Sequence, residues 1–168
     1  MINNFPVLEF YKGYVDLAGD GDLVPLLEKN RDEMLTLFIE ITDQKMGFRY
    51  EKGKWSVKEV IQHITDTERI MTYRALRISR GDQTPLPGFE QDDYVNALKI
   101  DHLGKKELIN EWQSVREASL SFFRNIDPSL LTLEGTANGK KVNVELQGRI
   151  IVGHTRHHTK ILKERYKV

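Results

Sequence analysis

Apolar residues recur at helical spacing in four long stretches of this chain. From about Asp22 to Gln44, Val24, Leu27, Met34, Phe38 and Ile41 fall on one side of a helix. The segment MGFRYEKGK breaks that pattern. A second helix opens at WSVKEV, where Ser56 and Glu59 have capping-box spacing and Trp55 and Val60 that of a hydrophobic staple. It stops near Gly81 in SRGD. A third runs from about Lys105 to Asn125, with Leu108, Trp112, Val115 and Phe122 inward and Pro128 beyond its end. LTLEGTANGKKVNVEL then alternates around Asn138-Gly139, the signature of a small hairpin with a tight turn. Asn143 is placed to cap a fourth helix that continues to about Tyr166. A long loop, DQTPLPGFEQDDYVNALKID, joins the second helix to the third. The pattern predicts an all-α fold, a four-helix bundle with one crossover connection and a hairpin before the last helix.

Composition narrows the function. The 168 residues suit a single domain spanning 1–168. Acidic and basic residues are balanced at 25 each, with no basic patch, so nucleic acid is not an expected partner. No stretch approaches the ~20 apolar residues of a membrane span. MINNFPVLEF lacks the basic and apolar regions of a signal peptide, so a cytoplasmic location is expected. There is no cysteine, so any bound metal needs nitrogen and oxygen ligands.

The chemistry concentrates in GHTRHH, residues 153–158. At roughly 100° per residue, His154 and His158 lie near the centre of the apolar face formed by Val144, Ile150, Ile151, Ile161 and Leu162. His157 points roughly 90° away, by the same helical geometry. Two imidazoles one turn apart suit shared metal ligation, because an unsatisfied buried imidazole is costly. For a third ligand, His63 borders the apolar face of the second helix, whereas His102 sits in the long loop outside any inward stripe. Three imidazoles leave coordination positions open, as catalytic sites do. Thr155 stands where a zincin has its glutamate, so ordinary metalloprotease chemistry is disfavoured.

Glu68, Gln147 and Arg165 are the candidates for a catalytic role, and the sequence singles out none of them. Glu68 lies within the apolar face of the second helix and reads best as half of an ion pair with Arg156 or Arg165. A general base, or an acceptor behind a metal ligand, is the alternative. Asp66, one turn after His63, orients that ring or faces water. Gln147 and Arg165 share the stripe of His154 and His158. TPLPGF reads as a rigid loop packing Phe89 on the bundle or walling a pocket.

KWSVKEVIQHITDTERIMTYRALRISRGDQTPLPGFEQDDYV, GTANGKKVNV and IIVGHTRHHTKILKERY, with GDLVPLLEKN before them, resemble the DinB/YfiT-like superfamily. The resemblance implies an up-down-down-up four-helix bundle, often a homodimer. It implies a metal triad at His63, His154 and His158, holding zinc or nickel. It also implies S-transferase or isomerase chemistry with a low-molecular-weight thiol, in a stress or detoxification role. A metal-dependent hydrolase and a metal-binding protein without turnover are the alternative expectations.

Overall fold

Local chemistry starts two of the long helices and turns the hairpin. The Ser56 side chain accepts from the Glu59 N–H while Glu59 accepts from the Ser56 N–H at 2.6 Å, closing a capping box. Asn143 accepts from the Leu146 N–H at 2.8 Å. Asn138 and Gly139 both take positive φ, 51° and 67°, as a two-residue hairpin turn with the right twist requires. The computed structural model describes residues 5–7 and 9–168. Its elements are α1 (Glu9–Ala18), α2 (Leu23–Glu40), α3 (Val57–Ser79), α4 (Gln91–Asn96), α5 (Lys105–Asn125), β1 (Glu134–Ala137), β2 (Lys140–Asn143) and α6 (Val144–Ile161).

Side-chain pairs give the helix directions. Lys105 reaches the Ile41 carbonyl and Arg124 pairs with Glu28, so α5 runs against α2. Glu68 meets Arg116 and Thr72 meets Ser119, so α3 and α5 are parallel. Glu33 pairs with Arg156, and Met34 lies by Thr159. His63 meets His154 while Trp55, before α3, stacks near His158. Thus α6 runs with α2 and against α3, and the bundle is up-down-down-up. Parallel α3 and α5 require a crossover, which the 80–104 segment supplies. No helix among the described residues is long and apolar enough to cross a membrane.

Two apolar clusters fill the bundle. One contains Leu27, Met71, Leu120 and Val152; the other contains Met34, Ile64, Trp112 and Leu162. Between them every bundle helix contributes a buried polar residue: Asn30, Glu68, Arg116 and Thr155. Arg116 donates to both Glu68 oxygens at 2.8 and 2.9 Å, to Asn30 Oδ1 at 2.9 Å, to the Leu27 carbonyl at 3.3 Å and to Thr155 at 3.4 Å. From α5, one guanidinium thereby reaches the other three bundle helices.

Several expectations change. The first predicted helix ends at Glu40 rather than near Gln44, because Ile41 turns extended and a 3₁₀ turn follows at Asp43–Lys45. The long loop carries the short helix α4. Helix α1 is not among the four predicted helices. Its stripe, Tyr11, Tyr14, Val15 and Ala18, packs on the core, but outward Phe10 and Leu17 are interleaved with it and blur the pattern. The last helix stops being α-helical at Ile161 and continues as a π turn, Leu162–Tyr166.

Replacing Arg116 by Met leaves the Glu68 carboxylate buried without a counter-charge. Urea unfolding is expected to show a loss of about 3–5 kcal/mol. The Arg116→Met, Glu68→Leu double variant is expected to recover much of it. Equal losses in the single and double variants would contradict the compensating role.

Candidate metal centre

His63 reaches the site from the first third of α3, His154 and His158 from successive turns of α6. Their exposures are 4%, 5% and 8%. The rings converge through one atom type. His63 Nε2 lies 3.0 Å from His154 Nε2, and His158 Nε2 lies 3.1 Å from the same atom. All three residues offer a ligand atom within 4.8 Å of one another.

Gly153 makes this packing possible from the α1 side. A Cβ there would collide with the Tyr14 backbone, so glycine alone lets α1 cross α6 at this point. The Tyr14 ring then stands edge-on to His154 and His157, with centroids 5.6 and 5.9 Å away. On the opposite side Trp55 lies 4.8 Å from the His63 ring and 6.4 Å from His158. These aromatics screen the imidazoles from water.

Burial keeps the imidazoles neutral. It pushes His63 down to about 4, with the Asp92 charge opposing it. It pushes His154 and His158 well below 6.5, and repulsion from neighbouring imidazolium charges adds to this. Neutral rings then face an unmet demand. Each Nε2 offers either a proton or a single lone pair. His154 Nε2 points at two others, so no tautomer choice satisfies all three. Three lone pairs converging on a cation satisfy every one. Nitrogens ~2.0–2.1 Å from a common ion, at angles between roughly 90° and 110°, are roughly 2.9–3.4 Å apart. The observed 3.0 and 3.1 Å match that spacing. The donor set therefore fits a divalent ion that accepts imidazole.

The other candidates go elsewhere. Glu68 pairs with Arg116, not Arg156 or Arg165, because α5 lies parallel to α3 and brings Arg116 against it. Arg156 pairs with Glu33. Arg165 is exposed, because the wider π turn rotates it off the His154 stripe and puts Tyr166 inside instead. Tyr166 donates to the Trp55 carbonyl at 2.6 Å. Gln147 is buried, with its Oε1 unpartnered. Asp66 accepts from Gln62 and Arg69 rather than from His63. His157 is half-buried beside the trio and outside it, and His102 is exposed.

Two cavities meet at the trio. One, of about 450 Å³, reaches His63 and His154; the other, of about 420 Å³, reaches His157 and His158. Tyr14 and Gln91 line both. The sequence reading missed Tyr14, Trp55, Thr67 and Arg74 as cavity residues. Thr67 and Arg74 had a signal, lying four and eleven residues after His63 on one helical face. Tyr14 also had one, since it shares a helical stripe with Tyr11, Val15 and Ala18, although no helix was predicted there. TPLPGF does both things expected of it: Phe89 packs against the apolar cluster that contains Leu27 and Met71, and it walls the larger cavity.

The buried imidazoles tie stability to pH. An unfolded imidazole titrates near 6.5 and these titrate lower, so between the two values the unfolded chain binds more protons. Stability of the metal-free protein is full above about pH 6.5 and falls as pH drops toward 4. For His63, titrating at about 4, the complete loss is about 3 kcal/mol. Thermal unfolding in chelator, from pH 8 to pH 5, is expected to show the melting temperature falling below pH 6.5. A flat profile would mean that the rings are not buried neutral.

Comparison with known proteins agrees with this architecture. Residues 26–162 match the DinB superfamily. A protein of Oceanobacillus iheyensis named "Putative metal-dependent hydrolase" is 27% identical over 55 residues, 32% of this chain and 31% of that relative's length. Among solved structures, YfiT from Bacillus subtilis superposes with a TM-score of 0.71 at 16% identity, covering 98% of this chain and 90% of YfiT. That protein is described as "a probable metal-dependent hydrolase with an unusual four-helix bundle topology". With four fifths of its length matched, the chain belongs to the DinB superfamily.

Proposed function

We propose that His63, His154 and His158 bind one divalent metal ion, zinc or nickel, and that the protein is a metal-dependent hydrolase. The observation that carries this is the convergence of three neutral Nε2 atoms where two cavities meet. Imidazole donors suit zinc and nickel. Such an ion supplies Lewis acidity that activates a nucleophile and polarises an electrophile. The similar proteins named as metal-dependent hydrolases support the reaction class.

The chain's own groups do the rest. Tyr14 and Trp55 keep bulk water off the ring faces. Asp92 and His157 line the smaller cavity and are the groups positioned to take up a proton there. Thr67 and Arg74 line the larger one, which holds the substrate.

A second reading rests on there being two cavities. Transfer of a low-molecular-weight thiol to an electrophile needs two substrates to meet at one centre, and two approaches exist. It is the S-transferase reading, with a detoxification role.

Metal content of untagged protein tests the ligand set. His63→Ala, His154→Ala and His158→Ala are each expected to lose the bound ion, while His157→Ala keeps it. If His157→Ala loses as much metal as His158→Ala, the ligand assignment is wrong. Metal-loaded protein is then offered ester and amide substrates, and separately a chloro-nitroaromatic with and without bacillithiol, mycothiol or glutathione. Thiol-independent hydrolysis that vanishes in His154→Ala is the expected result. Turnover only with a thiol selects the second reading, and none in either assay rejects both.

A further inference from the structure

Arg74, Arg116 and Arg149 are the buried arginines among the described residues. Arg116 pairs with Glu68 and Arg149 with Glu145. Arg74, only 4% exposed, has no carboxylate partner among the described residues. Its Nη2 donates to the Pro87 carbonyl at 2.7 Å, and its Nη1 contacts the Met71 sulfur at 3.6 Å. The Phe89 ring centroid lies 5.9 Å from the guanidinium carbon. These neutral groups leave the charge uncompensated, and a buried unpaired charge is expensive.

This guanidinium is not in a random place. His63, Thr67, Met71 and Arg74 follow one another at helical spacing on α3 and all line the larger cavity. The Thr67 hydroxyl, one turn beyond His63, is buried with no hydrogen-bond partner. Thus a guanidinium without a counter-charge and a hydroxyl without a hydrogen-bond partner belong to one cavity's lining, and the trio lies at its end. The one acid on that cavity's wall, Glu90, is exposed and not paired with Arg74.

We infer that the larger cavity binds an organic anion, with its negative head on Arg74 and its reacting group at His63 and His154. Arg74 gives the head a forked, charge-assisted pair of hydrogen bonds. Met71 and Ile150 flank an apolar middle, and Thr67 meets a polar atom near the reacting end. Eleven residues of helix separate the Cα atoms of His63 and Arg74 by ~16 Å. The arginine side chain leans back toward the helix N-terminus, so the ligand spans on the order of 10 Å. The cavity's volume of about 450 Å³ holds such a molecule. The substrate class is then an elongated carboxylate or phosphate monoester carrying its hydrolysable or electrophilic group at the far end. The reacting end of this assignment rests on the metal centre proposed above; the anion head does not.

Isothermal titration of the full-length protein with 4-phenylbutyrate, phenyl phosphate and neutral 4-phenylbutanamide tests the head group. At least one anion is expected to bind about tenfold or more tightly than the amide, the worth of one charged hydrogen-bonding partner. Which anion binds more tightly distinguishes carboxylate from phosphate. Arg74→Met is expected to remove that advantage, and Arg74→Lys to retain part of it. His158, outside this cavity, separates the two readings: His158→Ala is expected to lose metal and keep the anion. The assignment is overturned by equal affinity for anion and amide, by no binding of either anion, or by a folded Arg74→Met that binds as the parent does. The anion–amide comparison in the parent protein stands even if a variant does not fold.

Discussion

The Arg116 guanidinium is the interaction on which the rest of the structure depends. It sits at 0% exposure between two apolar clusters and spends its donors on α2, α3 and α6 at once. A buried charge is tolerated only when its partners are complete, so each helix must present its polar residue at one height. Apolar packing alone would allow a helix to slide by a turn. The polar layer forbids that slide, because any shift strands Glu68 or the guanidinium.

That fixed height is what aligns the three histidines. Thr155, which Arg116 contacts, is the residue after His154, and Glu68 is five residues beyond His63. Locking the layer therefore sets His63 opposite His154 to within the 3.0 Å observed between their nitrogens. Gly153 contributes from the other side, letting α1 close over the trio without a side chain in the way. The crossover and the hairpin finish the enclosure. At their junction the Leu86 N–H donates to the Thr136 carbonyl and the Leu86 carbonyl accepts from the Asn138 N–H, and the Pro87 carbonyl accepts from Arg74. A loop pinned in this way makes a wall of constant shape for the larger cavity.

The parts legible in the sequence were those with a local physical cause. The capping box at Ser56, the Asn138-Gly139 turn and the Asn143 cap act within a few residues, so they are visible in any short window. His154 and His158 were legible because one helical turn separates them on an apolar face. Helix α1 was missed because it is short and its stripe, Tyr11, Tyr14, Val15 and Ala18, is interleaved with the outward apolar residues Phe10 and Leu17. Arg165 was misplaced because the wheel assumes one period throughout, and the π turn at Leu162–Tyr166 changes that period.

By itself, the sequence determined the four bundle helices, the hairpin before the last of them, and the imidazoles on inward faces. Periodicity, caps and turn residues carry that information along the chain. Only the tertiary structure decided that Glu68 answers Arg116, that Arg74 answers no carboxylate among the described residues, and that two cavities meet at the histidines. The partner of a buried charge comes from a helix 48 residues away in the chain. Which helix that is depends on packing direction, which no local pattern encodes.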